Sequence, residues 1–285
     1  MDVMTQTRKA ADVRSAVRER TRIMGILNVT PDSFSDGGEY FDIEHAVRYA
    51  GEMARSSADM IDIGGESSRP GSTAISVDEE LKRVMPVLKA VKDAIDIPVS
   101  VDTWKSEVAR QVLSAGADII NDITALRGDK AMPGVIKEFD AGVILMHMKG
   151  KPRTMQNDPE YDDLMAEISA YLRESIDIAE AAGIDPDKIV IDPGIGFGKK
   201  LEHNLEILRE LGRLKSLGKT ILVGSSRKSF LGEITGRGTD ARLFGTAASV
   251  AAAAFAGADI VRVHDVGAML DVVRVIDAIK GQGLL

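Results

Sequence analysis

Polar side chains stand directly after a series of short apolar segments in this sequence. The polar residues that follow the segments are Asn28, Glu66, Ser68, Arg69, Asp102, Asn121, His147, Asp192, Ser225–Lys228, Arg262 and His264. Any one of them could be a turn former or a helix cap. A polar residue after every apolar segment is harder to explain by structure alone, so the set predicts a functional site.

One part of this set suits an anion. Arg69, Arg262 and His264 can carry positive charge, and the stretch from Ser225 to Lys228 adds cations and hydroxyls before a predicted helix. The N-terminus of a helix has unpaired N–H groups and the positive end of the helix dipole, and both favour phosphate or carboxylate. The residues therefore predict a phosphorylated substrate.

A second part of the set, Asp102, Asn121 and Asp192, suits a heterocycle. Carboxylate and amide groups can accept the N–H groups at the edge of an amino-pyrimidine. A metal cluster is the rival interpretation, which we favour less because no close set of His, Asp and Glu ligands is evident. Mg²⁺ often binds through one or two protein oxygens plus substrate phosphates, so Asn28 alone could supply the protein contact.

The elements that must position these residues are eight short apolar segments, rich in Ile and Val and with little alternation. This pattern is typical of strands buried on both faces of a parallel sheet. The segments are 23–27, 60–63, 99–101, 119–120, 143–146, 189–191, 221–223 and 260–263. Amphipathic segments of helix length lie between most of them, whereas the connection at 124–141 contains Pro133 and predicts only a brief helix.

Strict alternation of strands and helices predicts an α/β fold, and eight units predict a single-domain (β/α)8 TIM barrel. An open doubly wound sheet is the second choice. Residues 21–285 would form the barrel, and residues 1–20 would form an N-terminal extension. In a barrel the carboxyl ends of all strands meet on one face, where barrel enzymes place their active sites.

Composition excludes several classes of protein. The chain has 285 residues, 44% of them hydrophobic and 28% charged, with a net charge of −8 and no cysteine. Disulfides, thiolate metal sites and cysteine nucleophiles are excluded. The acidic balance disfavours nucleic-acid binding, and the weakly polar run at 245–258 is too short to span a membrane. We expect a cytoplasmic enzyme with small-molecule substrates.

Residues 194–199 look like a phosphate-binding loop but fail the pattern. Lys200 stands where that motif needs Ser or Thr, and Lys199 occupies the third glycine position of a dinucleotide fingerprint. A flexible loop that approaches a ligand closely is the better interpretation. Most methionines predict core packing, although Met146 at a strand end could line a pocket.

Taken together, the motifs resemble those of the dihydropteroate synthase family over residues 23–279. They are MGILNVTPDSFSDGG (24–38), DIGGESSRPG (62–71), SVDT (100–103), IND (120–122), LMHM (145–148), DPGIGFGK (192–199), GSSRKS (224–229) and RVHD (262–265). The resemblance implies a pterin-binding barrel that joins 6-hydroxymethyl-7,8-dihydropterin diphosphate to 4-aminobenzoate. The products would be dihydropteroate and diphosphate.

The resemblance also implies roles for individual residues. The pterin would be held by Asp102, Asn121, Asp192, Lys228 and Met146, and the diphosphate by Asn28, Ser68, Arg262 and His264. Asn28 would also bind Mg²⁺. The aminobenzoate would contact Arg69, Pro70, Phe197, Ser226 and Phe34, and the loop that carries Asp32, Ser33 and Phe34 would close over the reaction. Asp102, Lys228, Arg262 and His264 would be the catalytic residues of a cytoplasmic homodimer.

Three alternatives remain at this point. A pterin-dependent methyltransferase would share the pterin acids but would not need Arg69, Arg262 and His264. A non-catalytic pterin-binding barrel would tolerate loss of Asn28 and of the segment at 32–38, yet both are intact. A synthase for a larger aminobenzoate would differ only at the rim.

Three positions depart from the family pattern, and each bears on the rim of the site. Ser68 replaces a common Thr, which keeps the hydroxyl and loses only a methyl group. Ile195 replaces a usual Phe and could alter how an aryl acceptor is gripped. Trp104 stands where a smaller or phenolic residue is common, so it could fill a rim pocket or only cap the helix that follows.

Overall fold

The computed structural model describes residues 20–30, 38–68, 71–151 and 153–282, and it describes side chains in the first helix from residue 43 onward. Eight parallel strands pair in chain order, and the last pairs with the first to close a barrel. They are β1 (Arg22–Asn28), β2 (Met60–Gly64), β3 (Val99–Asp102), β4 (Ile119–Asp122), β5 (Gly142–Met146), β6 (Ile189–Asp192), β7 (Thr220–Val223) and β8 (Ile260–Val263). The predicted (β/α)8 barrel is confirmed.

The α-helices of the described residues follow the strands around the barrel. They are α1 (Gly38–Arg55), α2 (Val77–Ala94), α3 (Ser106–Ser114), α4 (Met132–Glu138), α5 (Leu164–Ala181), α6 (Leu201–Glu210), α7 (Ser229–Thr235), α8 (Leu243–Ala256) and α9 (Val266–Ile279). The brief helix predicted for 124–141 is α4, which has Pro133 in its first turn. Two helices, α7 and α8, follow β7 where the other strands have one main helix.

Helix α2 shows how the sequence sets a boundary beside the site. Ser76 caps its N-terminus by accepting a hydrogen bond from the Glu79 N–H at 3.2 Å. Its first turn contains the acidic residues Asp78, Glu79 and Glu80, whose negative charges interact favourably with the positive end of the helix dipole. Glu80 is nevertheless completely buried. It therefore needs a partner inside the protein.

The barrel interior contains an apolar layer and, above it, a polar layer. The apolar layer is a cluster of buried side chains from seven strands: Met24, Met60, Ile119, Ile144, Val190, Leu222 and Ile260. Side chains alternate along a strand, so the residue two positions later points to the same side. Four of those seven positions hold Asp62, Asn121, Asp192 and Arg262, and Asp102 adds a carboxylate from β3; the other three hold Ile26, Met146 and Gly224. The polar layer thus lies at the carboxyl ends of the strands.

Residues 1–19, most of the predicted N-terminal extension, lie outside the described residues. In the part of the chain that the structure describes, no helix is both long enough and apolar enough to cross a membrane. The larger hydrophobic core lies between the barrel strands and the surrounding helices. The fold therefore leaves the polar layer at the mouth as the place for chemistry.

Candidate active site

Asp62 lies at the centre of the polar layer. Its side chain is fully buried, and Oδ2 accepts hydrogen bonds from Arg262 Nε at 2.7 Å and from Asn121 Nδ2 at 3.0 Å. Another guanidinium nitrogen of Arg262 lies 3.5 Å from Asp102 Oδ2. Asp62 therefore joins residues expected to hold the pterin to one expected to hold the diphosphate. Sequence reasoning missed Asp62, although a lone carboxylate inside an apolar strand was an available signal.

The environment of Asp102 favours its neutral form. Burial, together with the nearby negative charge of Asp62, raises the pKa of Asp102 to about 8, while the positive charge of Arg262 opposes the shift. Removing a carboxylate from water penalises its charged form, and a like charge adds to that penalty. A perturbed carboxyl group of this kind, at the mouth of a barrel, is typical of a functional site.

Asp192 has a structural role and also belongs to the polar layer. Its Oδ1 accepts a hydrogen bond from the Gly194 N–H at 2.7 Å, so it stabilises the turn after β6. Burial raises the pKa of Asp192, and the positive charge of Lys228 opposes that shift. The turn-forming interpretation is thus correct as far as Oδ1 is concerned. The carboxylate still lies among the charged groups of the mouth.

Lys228 connects Asp192 to the aromatic side of the site. Burial lowers the pKa of Lys228 to about 8, and the charge of Asp192 opposes the change. The Lys228 ammonium lies 4.6 Å from the centre of the Phe197 ring and donates to the Ile195 carbonyl. Residues expected to bind the pterin and the aminobenzoate therefore lie next to each other.

His264 and Ser226 form a second contact between the predicted subsites. The Ser226 hydroxyl lies 3.0 Å from His264 Nδ1. The carbonyl of His264 accepts a hydrogen bond from the Tyr49 hydroxyl at 2.8 Å, which fixes the backbone after β8. The His264 N–H also donates to the Ser226 hydroxyl at 3.3 Å. Ser226 was predicted for the aminobenzoate and His264 for the diphosphate, so these two hydrogen bonds link the two groups of residues.

The interpretation of the whole stretch from Ser225 to Lys228 as an anion site is corrected for two of its residues. Arg227 adopts a φ of 58°, and its guanidinium pairs with Asp265 at 2.6 Å. The Ser225 hydroxyl is buried and lies 2.8 Å from the Ser249 hydroxyl. Both side chains are therefore engaged by α8 and the segment after β8, which leaves Ser226 and Lys228 for the mouth.

Asn28 and Ser68 lie on the rim of the mouth. Asn28 ends β1 opposite Gly64, and a Cβ placed on Gly64 would lie only 3.6 Å from Asn28 Oδ1. Ser68 lines a small cavity together with Glu66, Glu80 and Asp102. The Asn28 amide oxygen therefore lies beside Gly64, at ordinary van der Waals distance from the space that a Cβ would take.

No three His, Cys, Asp or Glu side chains come together as a metal site within residues 20–30, 38–68, 71–151 and 153–282. A magnesium ion at Asn28 would accordingly need oxygen ligands from the substrate. An amide oxygen at the open mouth of the barrel suits this arrangement, because Mg²⁺ commonly binds through few protein oxygens plus phosphates.

Several predicted site residues lie outside the described residues. They are Phe34, Arg69 and Pro70, together with Asp32 and Ser33 of the first loop. Their predicted contacts with the aminobenzoate, and the predicted closure of the first loop, remain predictions.

An apolar cluster forms one wall of the mouth. Met146, at the end of β5, packs with Ile123, Met148 and Met155, and Trp104 and Phe197 lie against them. Of the two alternatives for Trp104, the structure supports the rim position, since Trp104 lines the small cavity and Lys105 occupies the N-cap position of helix α3. Met146 lies level with Asp192 of the neighbouring strand, and its predicted contact with the pterin stays a prediction.

The glycine-rich segment after β6 packs tightly against the segment after β5. Gly194 has a φ of 69°, and a Cβ there would lie 1.9 Å from the His147 carbonyl oxygen. Ile195 is fully buried in the main core, so it cannot grip an acceptor. Close contact with the neighbouring backbone therefore explains why position 194 is a glycine, and the predicted flexibility of the loop stays a prediction.

Lys199 holds this segment in place, a role that sequence reasoning also missed. Its Nζ lies 2.9 Å from His147 Nδ1 and donates to the Phe197 carbonyl at 2.9 Å. Burial lowers the pKa of His147 to about 2, with a further contribution from Lys199, and burial also lowers the pKa of Lys199 well below its ordinary value. His147 is therefore neutral at neutral pH, and the pair fixes the backbone around Phe197.

Comparison with known proteins gives a consistent result. The family described as "Pterin binding enzyme" matches residues 24–264. A dihydropteroate synthase of Synechocystis is 47% identical over 262 residues, which cover 92% of this chain and 91% of that protein. The match thus spans every strand of the barrel.

Solved structures give the same picture. A dihydropteroate synthase of Clostridium difficile, crystallised in the presence of pteroic acid, has a TM-score of 0.86 and 47% identity, covering 91% of this chain and 97% of its own. One from Xanthomonas albilineans with 4-aminobenzoic acid has a TM-score of 0.86 and 46% identity, covering 93% and 94% of the two chains.

Proposed function

Because this chain belongs to the pterin-binding enzyme family, among its dihydropteroate synthases, we propose that its barrel mouth carries out that family's reaction through the residues described above. It condenses 6-hydroxymethyl-7,8-dihydropterin diphosphate with 4-aminobenzoate and releases 7,8-dihydropteroate and diphosphate. The enzyme is a transferase of folate biosynthesis, and its substrates are small molecules.

One observation supports the proposed roles most strongly: the contact of Asp62 with both Asn121 and Arg262. A pterin needs acceptors for its N–H groups, and a diphosphate needs cations. Asp102, Asn121 and Asp192 supply the first, and Arg262 with His264 supplies the second. A site that binds both parts of one substrate must hold these two groups at a fixed separation, and Asp62 does so within the barrel.

The chemistry is a substitution at the methylene carbon attached to the pterin. The carbon–oxygen bond to the diphosphate breaks, the bond to the aminobenzoate nitrogen forms, and that nitrogen loses a proton. As the diphosphate leaves with the electron pair of that bond, positive charge develops on the methylene carbon and spreads into the electron-rich dihydropterin ring. A positive charge on the ring lowers the pKa of the neighbouring carboxyl groups, so it favours the carboxylate forms of Asp102 and Asp192, which then stabilise it. Arg262, His264 and Ser68 stabilise the leaving group. An aryl amine is a weak base and attacks in its neutral form.

Lys228 has a distinct part in this scheme. Its lowered pKa means that the ammonium is only partly protonated near pH 8. It can therefore donate a hydrogen bond to the pterin with little of the repulsion that a fixed cation would exert on a cationic ring. Phe197, 4.6 Å away, and Ser226 border the space for the aminobenzoate.

Asn28 would hold Mg²⁺ against the diphosphate. The bound metal would supply neutralisation of the negative charge that develops on the leaving group. The Asn28 amide contributes an oxygen at the rim beside Gly64. Because the chain carries a net negative charge, neutralisation of the diphosphate by a metal ion would favour its binding. Replacing Asn28 with Ala should weaken diphosphate binding more than binding of a bare pterin.

A homodimer is the second part of the proposal. Phe244 and Phe255 on α8 are 85% and 62% exposed, and Val275 and Ile279 on the neighbouring α9 are also exposed. Large exposed apolar side chains on adjacent helices commonly mark a protein–protein interface. Sedimentation velocity on the wild type and on Phe244→Glu should give a dimer and a monomer respectively.

The cytoplasm is the compartment that we propose. A chain without cysteine has no need of an oxidising compartment, and both expected substrates are small polar molecules. Fractionation of cells that express the tagged chain would test this.

The decisive test of the reaction is diphosphate release from the pterin diphosphate with and without 4-aminobenzoate. We expect release to depend on the amine and to match dihydropteroate formed mole for mole. Release without product, or product from a larger amine only, would contradict the assignment.

A further inference from the structure

A buried cluster of three charged side chains lies beside the mouth and has no place in the scheme above. Lys105 Nζ lies 2.5 Å from Glu66 Oε2 and 2.5 Å from Glu80 Oε2. Glu80 is completely buried, and Lys105 and Glu66 are largely so. Each residue comes from a different segment: Glu66 from the connection after β2, Glu80 from the first turn of α2, and Lys105 from the connection after β3.

The cluster opposes folding in several ways and therefore needs a reason. One ammonium faces two carboxylates, and burial raises the pKa of Glu80. The second oxygen of Glu80, Oε1, is buried without a hydrogen-bond partner. Buried ion pairs seldom offset their desolvation, and their best-supported use is to specify one arrangement over others.

What the cluster specifies is the path of the connection after β2. Glu66 stands two residues before Ser68, and Arg83 donates to the Gly65 carbonyl at 3.1 Å. A Cβ on Gly65 would lie 2.5 Å from Val84, so the chain is pressed directly onto α2. The start of this connection is thus held by α2 and by Lys105, and Ser68 follows immediately.

The cluster also borders the site itself. Glu66, Glu80 and Thr103 share the small cavity with Ser68 and Asp102. We infer that Glu66, Lys105 and Glu80 are positioning residues that set Ser68 against the diphosphate end of the substrate. This inference rests on the proposed function, because it takes Ser68 as a diphosphate contact.

The sharpest test is Glu66→Gln. It removes the charge from the link between the connection and Lys105, so at most a weaker neutral hydrogen bond remains, and it leaves Lys105 paired with Glu80, so no buried charge is stranded. We expect KM for the pterin diphosphate to rise about fivefold to tenfold and kcat to fall by a similar factor. Affinity for a bare pterin, measured by calorimetry, should stay within about twofold of wild type, because Asn121 and Asp192 are untouched.

Glu180→Gln is the matched control. Glu180, whose side chain is 41% exposed, pairs with the mostly buried Lys219 at 2.6 Å, so the change removes the same charge from an ion pair away from the mouth. It should leave all three quantities unchanged. A purely structural role for Glu66 would lower the melting temperature of Glu66→Gln without changing KM, and that result would overturn the inference.

A second variant guards against misfolding. Lys105→Met combined with Glu66→Gln and Glu80→Gln removes the cation and both carboxylate charges together, so no charge is left unpaired. It should show the same separation of diphosphate from bare-pterin binding as Glu66→Gln alone. Equal loss of both affinities in either variant would contradict the inference. Failure of wild type to form dihydropteroate would contradict the proposed reaction instead, since the binding measurements do not depend on turnover.

Discussion

The apolar layer and the polar layer of the barrel interior, two residues apart along the strands, differ in almost every physical property; they are called the lower and the upper layer below. In the lower layer, Met60, Ile119 and Val190 fill the barrel axis with apolar side chains. Two residues later on the same strands stand Asp62, Asn121 and Asp192. The lower layer stabilises the closed sheet by burial alone. The upper layer places carboxylates where water is excluded.

The difference shows which layer was selected for stability and which for chemistry. A buried Leu- or Ile-sized side chain contributes roughly 1.5–3 kcal/mol by leaving water. The upper layer instead holds Asp62 fully buried against Arg262, and raises the pKa of Asp102 to about 8. Such groups oppose folding unless they are paired. They persist because a charged substrate can use them.

The largest effect that tests this contrast is expected from Arg262→Met. The variant keeps the apolar stem and removes the cation opposite the leaving group. We expect turnover to fall about 10²- to 10³-fold, as for loss of one stabilising donor in other enzymes. Steady-state release of diphosphate is the measurement. Arg227→Met is the control, since Arg227 is also paired with an aspartate but faces Asp265 and not the mouth.

Ile144→Ala should have the opposite effect: it should lower stability and leave turnover unchanged. Ile144 is fully buried in the lower layer, so its truncation should lower the unfolding free energy by about 2–5 kcal/mol. Turnover per folded molecule should be unchanged at a temperature where the variant stays folded. Urea unfolding followed by circular dichroism gives the first quantity. A large loss of turnover without loss of stability would show that the layers are not separate in function.

Asp192→Asn should give an intermediate effect on binding. Asn keeps the oxygen that accepts from Gly194 and replaces the other acceptor by a donor. A mispaired buried polar group costs about 1–3 kcal/mol, or roughly 5- to 150-fold in affinity. Calorimetry with a bare pterin would measure this, with thermal melting as the folding control. Matching affinities would restrict Asp192 to its role in the turn.

The pH dependence of stability should separate two members of the upper layer. The folded pKa of Asp102 lies above its ordinary value of 3.8, so its favourable contribution is complete below that value and is lost as the pH rises toward 8. Lys228 has a folded pKa of about 8 against 10.5, so its unfavourable contribution disappears as the pH rises from about 8 to 10.5.

Two variants test the pH dependence of stability separately below and above about pH 8. Asp102→Asn should flatten the loss of stability between pH 4 and 8, and Lys228→Met should flatten the gain above pH 8. Urea unfolding at six pH values, without ligand, would check both, with Glu180→Gln as the neutral comparison. Flattening in the same window for both variants would contradict the separate assignments.

The fold could be predicted because buried parallel strands have a recognisable sequence pattern. Segments such as 189–191 are continuous runs of Ile and Val, and a strictly alternating order leaves few topologies. The polar strand ends predicted where the site lies for the same reason: Asp102, Asn121 and Asp192 terminate apolar runs, and a barrel gathers such ends on one face.

What the sequence did not reveal depends on direction and pairing. Asp62 stands inside an apolar run, and only the closed barrel shows that it meets Arg262, 200 residues later. Arg227 is adjacent to Ser226 and Lys228 in sequence, but its positive φ turns the chain and sends its side chain to Asp265. Ile195 was expected at the rim and is buried in the core. The residues adjacent in sequence show neither which residue adopts a left-handed φ nor which distant residue pairs with a given charge.

The position of Trp104 gives the protein an optical probe of its own. It is the one tryptophan of the sequence, it borders the cavity shared with Asp102, and the Lys105 ammonium lies 5.4 Å from its ring centre. Indole emission responds to nearby charge, and pterins absorb in the range where indole emits. Ligand binding at the barrel mouth should therefore quench the ultraviolet emission of the unlabelled protein. The affinities discussed above can then be measured by fluorescence titration.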